Sequence, residues 1–170
     1  MATWTQCKAL HLIFGPCGDP TIENQLWKSL RGKVTKVIDG RTIVVDLAAG
    51  QNSLRAYLVG VALGSEDSER EQAKSVLSKI LLEKSVEILV SPSWDTADKN
   101  PTEVAGVVYV EKKTIGDNDA GLSLLSNGLV KFQEPAPYSM SRFTECEYKR
   151  AETEAQSKKM GVWAKRPATN

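Results

Sequence analysis

The stretch VTKVIDGRTIVVDL, residues 34–47, places a carboxylate and a guanidinium in one short turn. Two runs rich in β-branched and apolar residues flank Asp39 and Gly40, which is a strong signal for a β-hairpin. A metal-dependent site at such a turn would add a second carboxylate, but the chain has Arg41 there. Because a guanidinium repels metal ions and binds phosphate or carboxylate oxygens, Arg41 is either an anion ligand or an exposed turn residue. Asp39 is interpreted first as a turn residue, since aspartate favours such turns.

Other polar residues are weaker candidates for chemistry. Asp46, Glu66 and Asp67 could form a relocated metal site, although positions on a strand and at a helix start explain them better. His11 has neither a nucleophile nor an orienting group beside it in the sequence, so a catalytic role is not indicated.

Composition and charge argue against several classes of protein. The 170 residues include 22 Lys and Arg against 21 Asp and Glu, so no global field indicates a nucleic-acid or membrane partner. No apolar run reaches the about 18 residues that a membrane-spanning helix needs. We expect a soluble, intracellular protein or a domain of a larger one. Export through the weakly apolar segment CKALHLIFGPCG is the less favoured alternative.

The chain has three cysteines, Cys7, Cys17 and Cys146. An odd and sparse set argues against a disulfide framework, and no C-x-x-C spacing indicates zinc. A bridge between Cys7 and Cys17 stays open as an alternative to free thiols.

Periodicity predicts five strands with a helix after the third. The strands are expected at residues 33–38, 42–47, 54–61, 86–90 and 104–110. A capping box of Ser68 and Glu71 predicts where the helix begins. Its apolar stripe, at i, i+3, i+4, i+7 and i+8 spacing, consists of Ala73, Val76, Leu77, Ile80 and Leu81.

Two further helices are predicted near the C-terminus and a short one near the N-terminus. Asp119 is expected to cap the segment AGLSLLSN, with Gly128 just past its end. The segment TECEYKRAETEAQSKKM forms a polar helix with an inner stripe of Tyr148, Ala151 and Ala155. The segment TIENQLWKSL, residues 21–30, fits a short helix.

The order β-β-β-α-β-β-α-α suits an α+β fold that is mainly β. We expect a five-stranded Greek-key barrel of the oligonucleotide- and oligosaccharide-binding (OB) type with about three helices. The helix after the third strand would close one end of the barrel. Residues 1–30 are expected to form an N-terminal extension, residues 31–165 the barrel domain and residues 166–170 a tail.

Five parts of the sequence carry a resemblance to a known family. The stretch KVTKVIDGRT resembles the family's opening hairpin, and LRAYLVGVALGSE resembles its third strand. EKSVEILV and TADK resemble its fourth strand and the loop that follows. AGLSLLSNGLVKF is similar to its second helix, and AETEAQSKKMGVWA, the most specific of the five, to its closing helix. Together they resemble the staphylococcal-nuclease-like (SNase-like) family, which implies an OB-type barrel.

The resemblance also implies how the family's chemistry would be placed. Members that cleave phosphodiesters hold Ca²⁺ between carboxylates, activate water beside a glutamate and stabilise the phosphate with two arginines. One metal-binding aspartate of the family falls on Arg41. The second phosphate-binding arginine falls on or near Glu103. Both replacements exchange a charge for its opposite.

The third strand fits the family in two registers. Counting from Arg55 as the family arginine places the metal-binding aspartate on Gly60 and the general-base glutamate on Leu63. Aligning on VGV instead places the arginine, the aspartate and the glutamate on Tyr57, Ala62 and Ser65. Both carboxylates are absent in either register.

The resemblance therefore implies a catalytically degenerate member with no catalytic residue, no metal ligand and no cofactor, since the family's Ca²⁺ site is lost. Its expected role is a nucleic-acid-binding or protein-interaction module. An active divalent-metal-dependent endonuclease with a displaced site is the alternative. The candidate ligands for nucleic acid or another anion are Arg41 and Arg55, with Trp94, Lys99 and Tyr138 in loops that flank the family's nucleotide groove. The expected partner is single-stranded nucleic acid or a protein, and not a membrane.

Overall fold

The computed structural model describes residue 17 and residues 27–47, 53–91, 102–110, 118–135 and 139–164. Seven strands lie in these ranges. They are β1 (Lys28–Val37), β2 (Thr42–Leu47), β3 (Ser53–Leu58), β4 (Val61–Ala62), β5 (Ser85–Val90), β6 (Glu103–Val110) and β7 (Lys131–Phe132). The helices of the same ranges are α1 (Asp67–Leu81), α2 (Ala120–Ser126), α3 (Arg142–Ser157) and a 3₁₀ turn at Gly161–Trp163.

Five of the strands form a closed barrel in the order β1-β2-β3-β6-β5. Strand β1 pairs antiparallel with β2 on one side and with β5 on the other. The barrel closes where β3 pairs with β6 in parallel. This order of strands, with helices added, confirms the predicted OB-type barrel of the SNase-like kind. No helix in the described part of the chain is both long and apolar enough to span a membrane.

Alternating side chains fill the barrel. In β2, Ile43 and Val45 are fully buried, and in β3 the inward side chains are Leu54, Ala56 and Leu58. The intervening residues point outward because successive side chains of a strand face opposite sides. Helix α1 adds a buried stripe of Ala73, Leu77 and Leu81, as its spacing predicted.

The start of α1 differs from the prediction. The N-cap is Glu66 rather than Ser68, and the backbone N–H of Glu66 donates to the carboxylate of Glu69 at 3.4 Å. The side chain of Arg70 donates to the carbonyls of Gly64 at 3.0 Å and Ser65 at 3.1 Å. These hydrogen bonds fix the segment that leads into α1. The helix therefore begins before Ser68, the N-cap that the predicted capping box favours.

Two further boundaries are corrected. The predicted helix over residues 21–30 is wrong at its end, because Lys28 already begins β1 and pairs with Val90 of β5. Residues 21–26 lie outside the described part of the chain. The predicted strand over residues 54–61 ends at Leu58, because Gly60 has a φ of 74° and turns the chain into β4.

A disulfide joins Cys17 to Cys146, with a Cα–Cα distance of 5.6 Å. The alternative of a Cys7–Cys17 bridge is therefore wrong, since Cys17 is already bonded. Cys146 lies on α3, so the bridge attaches the N-terminal part of the chain to the last long helix. A sequence cannot reveal such a pairing, because the two cysteines are 129 residues apart.

Asp119 connects α2 to α3 in the interior. As predicted, it is the N-cap of α2, and its Oδ1 accepts from the backbone N–H of Leu122 at 2.9 Å. The same oxygen accepts from the hydroxyl of buried Tyr148 at 2.8 Å. Burial raises the pKa of Asp119 from 3.8 to about 6, although these hydrogen bonds oppose the shift.

Cys146→Ser should lower the free energy of unfolding by about 2 to 5 kcal/mol, because the bridge closes a very long loop of the unfolded chain. Urea unfolding followed by circular dichroism measures this change. Cys7→Ser is the matched control and should leave stability unchanged. Equal destabilisation by the control, or a non-reducing peptide map that joins Cys7 to Cys17, would contradict the assignment.

Asp119→Asn should remove a pH-dependent part of the stability. The folded pKa of Asp119 is raised, so its stabilisation is complete below about pH 4 and is lost as pH rises through about 6. The loss should amount to about 3 kcal/mol at most, at 1.36 kcal/mol per pKa unit. Urea unfolding of both proteins at several pH values gives the difference between them. A difference that does not change with pH would contradict this role of Asp119.

Candidate functional site

The turn between β1 and β2 is held by the carboxylate of Asp39. Its Oδ1 accepts from the backbone N–H of Arg41 at 2.8 Å, and its Oδ2 accepts from the hydroxyl of Thr42 at 3.0 Å. The backbone N–H of Ile38 donates to the carbonyl of Thr42 at 2.8 Å and completes the turn. Both oxygens of Asp39 are thus engaged locally, which agrees with the structural role that the sequence favoured.

Gly40 seats this turn against the rest of the molecule. A Cβ atom at Gly40 would lie 2.6 Å from the Cβ of Ala73 and 2.8 Å from Cδ2 of Leu63. Any larger residue would separate the turn from α1 and from the segment after β4. The close approach therefore brings the side chain of Arg41 to the same place as these two elements.

A cavity of about 530 Å³ lies where the three elements meet, and we call it the turn pocket. Its walls come from the hairpin turn, from the segment after β4 and from the first turns of α1. The lining residues are Ile38, Asp39, Arg41, Ala62, Leu63, Gly64, Arg70, Glu71 and Lys74. It combines a small apolar wall with charged groups of both signs.

Arg41 is a half-buried cation of the turn pocket. Its Nη1 donates to the carbonyl of Val61 at 3.5 Å, which is the outer limit of a hydrogen bond. A guanidinium carries five N–H donors. Most of the donors of Arg41 therefore have no partner among the described residues and can bind an anion that enters the pocket.

Sequence reasoning missed Arg70 and Lys74. They are four residues apart on α1, so they lie on the same helix face, and both line the turn pocket. Arg70 is also bound to two carbonyls and lies 3.5 Å from Asp67, so it mainly orders the entrance to α1. The i, i+4 spacing was the available signal, but only the fold shows that this face meets the hairpin turn.

Arg55 does not join Arg41. It lies on the outer face of β3, between buried Leu54 and Ala56, and does not line the turn pocket. Its Nη1 is 2.9 Å from Oε1 of Glu103, its neighbour across the parallel β3–β6 pairing. The pKa of Arg55 is raised above its ordinary value by Tyr57 first and then by Glu103. With both side chains about half exposed, such a pair contributes little to stability.

The two registers of the third strand place the family's aspartate in different surroundings. Ala62 lines the turn pocket beside Arg41, whereas a Cβ atom at Gly60 would lie 2.7 Å from Cε of Met140, in a different environment. A carboxylate at position 60 would thus point away from the pocket. Of the two positions, only Ala62 lines the turn pocket, and the choice between the registers stays a prediction.

The remaining candidate residues do not form a site within the described part of the chain. Trp94, Lys99 and Tyr138, like His11, lie outside the described residues, so their role as ligands stays a prediction. Asp46 accepts from the hydroxyl of Ser53 at 2.6 Å on the barrel surface. Glu66 and Asp67 begin α1, so the relocated metal site has no geometric support.

A calcium ion of the family type does not fit the turn pocket. Ca²⁺ needs six to eight oxygen ligands. The pocket lining supplies two carboxylates, Asp39 and Glu71, against three cations. It has Arg41 and Ala62 where one register of the sequence resemblance implies metal-binding aspartates. No group of three or more His, Cys, Asp or Glu residues within the described ranges could hold a metal ion.

Comparison with known proteins adds one finding. A family model described as staphylococcal nuclease homologue matches residues 69–165, which is more than half of the chain. The matched part begins inside α1 and includes β5, β6, α2 and α3. No curated protein matches this chain in sequence.

The double variant Arg41→Asp, Ala62→Asp should acquire calcium binding, because it supplies two carboxylates to the turn pocket. For a dissociation constant of about 1 mM, about 10 mM calcium would stabilise the folded state by about 1.4 kcal/mol. Thermal unfolding in calcium and in a chelator measures the gain. Arg41→Leu, which removes the guanidinium without adding a ligand, is the control. Equal stabilisation of the unmodified chain by calcium would contradict the conclusion that a calcium ion does not fit the turn pocket.

Proposed function

The chain belongs to the staphylococcal nuclease homologue family, and from this premise we propose that it is a catalytically degenerate member. It acts as a binding module, for nucleic acid or for protein, and does not hydrolyse phosphodiesters. The observation that carries the proposal is the guanidinium of Arg41 in the turn pocket. The sequence resemblance implies a family carboxylate at this position.

Charge explains why metal-dependent hydrolysis is not expected. Two unit charges 4 Å apart interact by about 4 kcal/mol at an effective dielectric constant of 20, so a divalent ion facing Arg41 would be repelled by about twice that. The resemblance implies a phosphate-binding arginine on or near Glu103, and this glutamate pairs with Arg55. A phosphate that develops negative charge in a transition state would therefore lack the two fixed cations that stabilise it in active members.

The same features support binding. Arg41 presents uncommitted N–H donors, and Lys74 adds a second cation on α1. An anion in the turn pocket can therefore be held by fixed cations of the protein, with no metal ion between them. Binding of this kind is insensitive to a chelator, whereas calcium-bridged binding is not.

The disulfide bears on where the module acts. A bridge between Cys17 and Cys146 persists in an oxidising environment and is rare in the reducing cytosol. It therefore supports an oxidising compartment over the intracellular location that the sequence suggested.

The proposed function is tested by cleavage and by binding on the same protein. Labelled single-stranded DNA and RNA should stay intact with calcium, magnesium or manganese present. Robust turnover that a chelator abolishes would contradict the proposal and favour the active endonuclease with a displaced site.

Binding is measured separately, in a chelator, by the ¹⁵N–¹H chemical shifts of the turn pocket during titration with inorganic phosphate. Shifts at residues 38–41 and 62–64 are expected for the unmodified chain. They should be lost in Arg41→Glu and kept in Arg150→Glu, which changes an exposed arginine on α3. Shifts that do not depend on Arg41 would contradict its role.

A further inference from the structure

We propose that the turn pocket recognises a glutamate or aspartate side chain of a protein partner rather than a polynucleotide strand. This inference rests on the proposed function and names the chemistry of the partner. It depends on the charge of the pocket, on the charges around it and on the character of its walls.

The charge of the pocket suits one anionic group. Its lining has three cations, Arg41, Arg70 and Lys74, against two carboxylates, Asp39 and Glu71, which leaves a net charge of three minus two, or +1. Both oxygens of Asp39 are engaged in the turn, and Arg70 is bound to backbone carbonyls. Arg41 and Lys74 are thus the cations that can meet a ligand, and they would enclose a single carboxylate.

Several described cations outside the pocket are paired with acids. A polynucleotide gains most of its affinity from several phosphates that meet free lysines and arginines. Three described cations of the barrel are instead paired with acids: Arg31 with Glu87, Lys33 with Glu83 and Arg55 with Glu103. On α3 the same holds for Lys149 with Glu145, Arg150 with Glu147 and Lys158 with Glu154.

The walls of the pocket favour a peptide over a base. None of its lining residues is aromatic, so the pocket itself offers no ring on which a base could stack. Its uncharged side is formed by Ile38, Ala62 and Leu63. These groups suit the methylene stem of a glutamate and an aliphatic neighbour. A cavity of about 530 Å³ is large enough for both.

The probes for this proposal are two short peptides and two oligonucleotides. The peptides are acetyl-Ala-Leu-Glu-Leu-Ala-amide and its glutamine analogue, and the oligonucleotides are octamers of thymidylate and of uridylate. Each is titrated into the full chain in a chelator, and the ¹⁵N–¹H shifts of residues 38–41, 62–64 and 70–74 are followed. We expect the glutamate peptide to shift these residues and to bind at least about tenfold more tightly than the glutamine peptide.

Salt dependence and variants identify the interaction. The affinity of the glutamate peptide should fall as the salt concentration rises, because salt screens the ion pair with Arg41. The Arg41→Glu variant should not bind this peptide. It should instead bind the peptide in which lysine replaces the glutamate. Arg55→Gln, which changes an exposed arginine outside the pocket, is the matched control and should bind as the unmodified chain does.

The outcomes separate this inference from the proposed function. If an oligonucleotide shifts the pocket at a lower concentration than the glutamate peptide, the binding module stands and the protein partner is wrong. Equal binding of the glutamate and glutamine peptides also overturns the inference. If neither peptide, oligonucleotide nor phosphate shifts the pocket, both the inference and the proposed function fail.

Discussion

The hydrogen bonds of Asp39 are the interaction on which the site depends. Its carboxylate closes the turn between β1 and β2, and the glycine that follows lets this turn pack directly against α1. The closed turn and its packing against α1 together determine where the side chain of Arg41 points. Because the carboxylate is used within the turn, it is less available to a metal ion. The guanidinium beside it then determines the sign of the charge that the pocket accepts.

The molecule thus has the architecture of its family. The closed barrel and the helices around it need buried apolar side chains at alternating positions, and these are present. The residues that line the pocket carry no such packing constraint. The barrel accommodates a guanidinium at Arg41 and a methyl group at Ala62, where the sequence resemblance implies carboxylates. Fold and chemistry are therefore separable in this protein.

Much of the fold follows from local sequence signals. Alternation in β2 and β3, the turn residues Asp39 and Gly40, and the stripe on α1 all predict elements that are present. The outward position of Arg55 also follows, in hindsight, from the burial of its two neighbours in β3. The N-cap of α1 was misplaced because side chains from within the helix, Glu69 and Arg70, hold its entrance.

Features that join distant parts of the chain could not be predicted. The bond of Cys17 joins it to a residue of α3 that lies 129 positions further along the chain. The approach of Arg70 and Lys74 to the hairpin turn depends on how α1 packs against the barrel, and this packing creates the turn pocket. The different surroundings of Gly60 and Ala62 likewise depend on tertiary packing.

The decisive measurement is a crystal structure of the chain with a nucleoside diphosphate and calcium. We expect electron density for an anionic group against the guanidinium of Arg41, with no calcium ion between them. A calcium ion coordinated in the turn pocket and bridging to phosphate would contradict it. So would a phosphate bound at Arg55 with the turn pocket empty.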